Sequence, residues 1–417
     1  MLVDKKKIGL TIVFCIISIY IGFSQLFQMD EFFYILLLLV FCTILIKMMD
    51  QTIIPLNNFV VGWLLSLILM FFSITYTYSK NSGIKYSLVF LIFIAIAIFL
   101  TGLDGWIPAF QRCLCFGLSV HVLFTIFSIF FTEHALRISS RLLAPEVQGI
   151  TIRWIKESNH YAGISGQTVV NAFFFTILLG FVLGKVLTKD AKPIWLICGT
   201  SLIILIILTG KKGTMLANFV AIIVVIFLYC IWNKKSLRPI LIISIISGIL
   251  FILICSRISI ESFQNLMGTS VTSRDRILEK VIYLINQHPL LGSGVDSVAF
   301  YVGHSAHNSY IQILCEYGIV GVVFFGFAII GTFIDLVKKS GSCIRDKKIN
   351  NFEQSVILSG IYYYIYIIVN SLFESTFFTY QMFFMYLLSS ASCFSIITYA
   401  ESTKKCKRDI GKEHKEV

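Results

Sequence analysis

The chain has 417 residues, of which 57% are hydrophobic and only 13% charged, with a mean hydropathy of +0.86. One globular core cannot bury that much apolar surface, so a soluble domain is excluded and lipid is the expected solvent. The formal charge of +12 does not indicate nucleic acid, because the basic residues fall in short segments between apolar stretches, where they set membrane topology.

A spanning helix needs roughly 20 mostly apolar residues. On that criterion the sequence predicts an all-α integral membrane protein of about twelve transmembrane helices, a single polytopic domain over 1–417. The spans are expected near 8–25, 31–48, 58–77, 86–104, 110–131, 162–187, 193–209, 214–232, 238–256, 317–338, 355–372 and 377–399. Met1 to Phe23 has the basic head and apolar body of a signal peptide, but Gly22 and Ser24 match a cleavage site poorly, so it reads as a retained first helix. The eleven cysteines lie mostly inside apolar spans, as Cys15, Cys42, Cys198 and Cys393 do, where they pack as small hydrophobes. No Cys/His cluster has zinc-site spacing.

With the lysine-rich start placed inside, 22 of the 34 Lys and Arg residues fall on the inner side and 12 on the outer. The positive-inside rule then puts both termini in the cytoplasm. Two sizeable external loops result, 132–161 and 257–316, the second between the ninth and tenth helices. The outer cations are Lys80, Lys85, Arg137, Arg141, Arg153, Lys156, Lys211, Lys212, Arg257, Arg274, Arg276 and Lys280. They read either as ordinary interfacial residues on lipid head groups or as sites for an external anion.

Taken in chain order, Asp30 and Glu31 form a carboxylate pair in the first external loop, able to act as acid, base or metal ligand or simply to cap the next helix. Lys211 and Lys212 lie in the very short turn TGKKGT, where two ammonium groups suit a lipid-linked phosphate, or snorkel at a helix end. In the second loop Leu278, Val281, Ile282 and Ile285 recur at helical spacing, predicting an amphipathic helix on the outer membrane surface. Ser273 is its expected N-cap, so Arg274 adds a forked donor to the free N–H groups of the first turn, an anion site or a solvated helix start. Further on, Asn308 or Ser309 can cap a helix through Tyr317, with Gly318 ending it or loosening the entry into the tenth span, which leaves His307 just ahead of a helix N-terminus. A neutral imidazole there can take a proton from a hydroxyl, although a loop histidine can equally be structural or merely exposed.

The order TGKKGT, TSRDRILEKVIYLINQHPLLGSGVDS, AHNSYIQILCEYGIVG resembles the O-antigen ligase and O-antigen or capsular-polysaccharide polymerase superfamily, most specifically over 207–335. The earlier ESNHYAGISGQ is similar to an asparagine-containing segment of those proteins. The resemblance implies a membrane glycosyltransferase on the outer face of a bacterial cytoplasmic membrane, polymerising undecaprenyl-diphosphate-linked repeat units, or a ligase passing the glycan to another acceptor. It carries the family's turn cation onto Lys211 or Lys212, its loop arginine onto Arg274 with Arg276 as neighbour, and its loop histidine onto His307. The cations would hold the donor diphosphate and His307 would assist the acceptor hydroxyl.

This sequence departs from the family in having lysines where the turn often has arginine, which loses bidentate geometry, and Leu278 where a tryptophan is common. The implied partners are the lipid-linked donor and acceptor glycans, membrane lipid and a chain-length regulator protein, with no nucleic acid. No nucleotide or metal cofactor is implied, since the diphosphate itself is the leaving group. A twelve-helix transporter or flippase is the rival from another class. It expects ionisable groups near the bilayer midplane, where His121 is the clearest candidate.

Overall fold

The computed structural model describes residues 2–24, 41, 54–143, 145–188, 192–236 and 276–413. Among these residues the secondary structure is helical, with no strand. The helices, in order, are α1 (Leu2–Phe23), α2 (Asn58–Ser73), α3 (Lys80–Leu100), α4 (Ile107–Phe130), α5 (Thr132–Leu142), α6 (Pro145–Ser158), α7 (Thr168–Leu187), α8 (Pro193–Leu208) and α9 (Lys212–Trp232). They continue with α10 (276–287), α11 (Ser297–Val302), α12 (Ser309–Gly326), α13 (Thr332–Arg345), α14 (Asn351–Asn370) and α15 (Tyr380–Glu413).

Seven of these segments are long and apolar enough to cross a membrane, and Thr11–Phe23, Asn58–Ser73 and Pro193–Leu208 are shorter apolar helices. Apart from Phe41, the expected spans at 31–48 and 238–256 lie outside the described residues, as do Asp30, Glu31, Ser273 and Arg274. All-helical architecture is what lipid demands, because every backbone N–H and C=O must find its partner within the chain.

Two expectations change. The segment 132–161, read as a loop, holds two helices, α5 and α6, bridged by Lys156 and Glu133 at 3.2 Å. The tenth span, expected at 317–338, starts at Ser309, with Asn308 capping it by accepting from the N–H groups of Tyr310 and Ile311 at 3.0 and 3.1 Å. That helix breaks at Gly318, whose φ of +63° is left-handed. A Cβ there would lie 2.3 Å from the Leu290 carbonyl oxygen, so only glycine fits.

The bundle is built around α14, which packs against α7, α9 and α15. Without water to drive burial, spanning helices associate by close packing and by polar contacts. Gly180 and Gly184, four apart on α7, let α14 approach: a Cβ on Gly184 would meet the Ser355 carbonyl oxygen at 2.3 Å. Ser359 Oγ donates to the Gly180 carbonyl at 2.9 Å across the same seam. Between α12 and α13 the π-helical turn Phe327–Gly331 widens the helix, and the Tyr364 hydroxyl donates to the Ile329 carbonyl. Tyr386 in turn donates to the Tyr364 oxygen at 2.7 Å, a chain of the kind worth about 1 kcal/mol per bond.

Contacts between connections sort the bundle into two ends. At one end Tyr76 Oη donates to the Leu291 carbonyl at 2.8 Å, Tyr161 N–H to the Leu208 carbonyl at 3.1 Å, and Ser309 N–H to the Ser371 carbonyl at 2.9 Å. At the other, Asn58 N–H donates to Asp335 Oδ2 at 3.3 Å, and the Lys185 ammonium lies over the Phe352 ring. The first set joins segments that the sequence analysis assigns outside, the second segments that it assigns inside.

Candidate functional site

The TGKKGT turn is tight because α8 ends at Leu208 and α9 begins at Lys212. Thr209 Oγ1 donates to the Ile206 carbonyl at 2.6 Å, and Gly210 reverses the chain at φ +69°. The first large loop closes over this turn. The Lys211 ammonium sits 5.1 Å from the centroid of the Trp154 ring, and the His160 imidazole occupies the space that a side chain on Gly210 would fill. Burial holds the His160 pKa below its ordinary value, and the charges of Lys211 and Lys212 lower it further, so the ring is neutral beside two cations. Those cations stand at the N-terminus of a 21-residue helix, where free N–H groups and the helix dipole reinforce an anion site.

The other side of the turn packs on the link between α14 and α15. Thr214 Oγ1 donates to Asn370 Oδ1 at 3.2 Å, and a Cβ on Gly213 would lie 2.7 Å from Cβ of Phe373. Glu374, the next residue, is held by its N–H donating to the Asn370 carbonyl at 2.9 Å.

His307 meets that same link from the opposite direction. Asn308 Nδ2 donates to the Leu372 carbonyl at 3.1 Å and Ser309 Oγ to the Glu374 carbonyl at 3.2 Å, which docks the α12 N-terminus onto residues 371–374. His307 adopts φ +52°, and its Nδ1 lies 3.4 Å from Glu374 Oε2. The imidazole side chain remains 38% exposed, so it is reachable. With Nδ1–H aimed at the carboxylate, Nε2 carries the lone pair and can accept a proton from a hydroxyl. The link 370–374 therefore packs on Gly213 and Thr214, which follow the two lysines, and on the loop that carries His307.

Arg276 is exposed at the start of the described part of α10. This helix buries Val281 and Leu284 against Val298 and Cys315, with Ala306 and Ile311 alongside, so it docks on the protein next to the His307 loop. Leu278 and Ile282 of the expected apolar stripe are exposed instead. The apolar residues form one broad arc, and the part bearing Val281 and Leu284 is the one the protein covers. His304 is exposed.

Sequence reasoning missed Glu374, Trp154 and Phe373, and noted His160 only as one of five external histidines, with no role. An acidic residue in the short external link NSLFESTFF was the one available signal for Glu374. His121, central to a transporter reading, is buried between the Phe23 and Phe174 rings.

Residues 197–326 match the family model described as O-antigen ligase. The sequence resemblance to the O-antigen ligase and polymerase superfamily thus stands. The O-antigen ligase match spans α8 to α12 and takes in Lys211, Lys212, Arg274, Arg276 and His307, while Trp154, His160 and Glu374 lie outside it. No match to the chain was found among curated proteins.

Proposed function

We propose that this membrane protein is a polysaccharide polymerase that joins undecaprenyl-diphosphate-linked oligosaccharide repeats on the outer face of a bacterial cytoplasmic membrane, with both termini inside. The observation that carries the reading is that one short link packs on the residues following the two lysines and also holds the carboxylate beside His307, within and next to the O-antigen ligase match.

The reaction needs these two things. The acceptor hydroxyl attacks the anomeric carbon, the bond from that carbon to the diphosphate oxygen breaks, and the diphosphate leaves with the electron pair. Lys211, Lys212 and the α9 N-terminus, joined by Arg274 and Arg276, meet the negative charge that grows on the leaving group. His307 Nε2 takes the hydroxyl proton, and Glu374 orients the ring and stabilises the imidazolium as it forms. Repeat units on the lipid carrier serve as donor and acceptor alike, and a chain-length regulator is a natural partner for such an enzyme.

The ligase reading shares the donor, the cations and the histidine and differs only in the acceptor; the family description favours it as the second reading. The deciding experiment deletes the gene and restores it with wild type or His307→Ala, then measures polymer and lipid-linked intermediates. A polymerase leaves single lipid-linked repeats when it fails. Accumulation of full-length lipid-linked polymer would identify a ligase instead, and unchanged polymer would end both readings.

A further inference from the structure

A cleft of about 440 Å³ opens between the 74–79 turn and residues 288–293. Its walls include Tyr76, Tyr78, His288, Pro289 and Ser293. Tyr78 is 45% exposed, and its ring lies parallel to Phe300 at 6.3 Å and an 8° interplanar angle, with Tyr301 at 5.4 Å. Phe300 and Tyr301 thus pack around the Tyr78 ring, and two of these three rings carry hydroxyl groups.

The cleft is rigidly mounted. Tyr76 Oη donates to the Leu291 carbonyl, Thr77 Oγ1 donates to the Val295 carbonyl at 2.6 Å, and the N–H groups of Ser293 and Gly294 donate to the Cys315 and Glu316 carbonyls, both at 2.9 Å. Those carbonyls belong to α12, the helix whose N-terminus follows His307. The six steps of that helix from Ser309 to Cys315 amount to about 9 Å of rise. Within the wall, Ser293 is only 2% exposed, yet its Oγ has no hydrogen-bond partner among the described residues. A buried hydroxyl left unpaired is disfavoured unless something else satisfies it.

We infer that this cleft is a saccharide subsite, taking a sugar ring of the lipid-linked glycan against Tyr78 and a sugar hydroxyl on Ser293. The inference rests on the glycosyltransferase reading above and assigns it a glycan contact. A pyranose has an apolar C–H face and a rim of hydroxyl groups. Flat aromatic faces beside tyrosine, serine and histidine polar atoms match both. Among the described residues no Lys or Arg lines the cleft, so none of them offers a phosphate head group a counter-charge there.

The test uses the full chain in lipid nanodiscs, with oligosaccharides released by mild acid from the host strain's surface polysaccharide as the probe. Saturation-transfer NMR should show contact with the wild type, weakened about tenfold by Tyr78→Ala and by Ser293→Val and retained in Tyr78→Phe. Tyr399→Ala, an exposed ring on α15, should leave it unchanged. In cells, Tyr78→Ala should shorten the polymer while still forming the first linkage. Unaltered saturation transfer from Tyr78→Ala overturns the subsite. So does a Tyr78→Trp protein whose fluorescence is quenched by spin-labelled lipid and untouched by the saccharide, because the rings would then be an interfacial anchor. Binding is read without turnover, so a failure of the polymerase reading in the His307→Ala experiment leaves the saccharide contact to be judged by itself.

Discussion

His307 Nδ1 and Glu374 Oε2 lie 3.4 Å apart across 67 residues of chain, joining the loop before α12 to the link after α14. The pairing divides the labour at the proposed base: Glu374 sets the tautomer, and His307 meets the acceptor. His307→Ala should lower polymer formation by about 10² to 10⁴ with membrane abundance unchanged. Glu374→Gln, which keeps a hydrogen-bond acceptor and loses the charge, should lower it less and shift the pH profile. His304→Ala is the control and should be mild. Near-normal polymer from His307→Gln would remove the proton-acceptor role, since glutamine accepts no proton at neutral pH.

The lysine turn has a geometric prediction of its own. Gly213→Val places side-chain atoms where Phe373 now sits, so it should disturb the link that holds Glu374 and reduce activity without touching either lysine. Lys211→Ala combined with Lys212→Ala should instead raise the concentration of lipid-linked donor needed for half-maximal rate. If the double variant kept the wild-type donor dependence, the turn would not be the diphosphate site.

Arg274 lies outside the described residues, and its assignment rests on the motif. Arg274→Lys retains charge and loses the bidentate fork, so activity should fall at equal protein level, with Arg276 substituting in part. Wild-type polymer yield from Arg274→Ala would end this assignment.

His160 gives a stability test. Its folded pKa is depressed by burial and by Lys211 and Lys212, while an unfolded histidine titrates near 6.5. The unfolded state therefore binds the proton more readily, so stability from the neutral ring is fully present above about pH 6.5 and is lost as the pH falls toward the folded value. Thermal unfolding of the purified protein should drop in temperature between pH 7.5 and 5.5, and His160→Gln should flatten that drop. An identical pH response in both proteins would exclude the burial seen against Gly210.

Topology can be checked directly. A reporter fused after Lys235 should read as cytoplasmic and one near Gly303 as external, following the Lys and Arg bias. A cytoplasmic signal at Gly303 would overturn the whole site assignment.

The sequence by itself determined that this is a helical membrane protein, where most of the described spans lie, and which motif residues deserved attention. Hydropathy is summed residue by residue along a local window, so α3, α4, α7 and α9 are visible without any tertiary knowledge. Asn308 and Gly318 were legible for a similar reason, because a cap and a left-handed break are decided within one helical turn. Only the tertiary structure decided that Glu374 backs His307, that Trp154 and His160 cover the lysine turn, and which apolar side of α10 is buried. Those outcomes depend on helices meeting across long stretches of chain. The choice among apolar faces is made by shape, as at Gly184 and Gly213, where a missing side chain lets a neighbour come close and no hydropathy value records it.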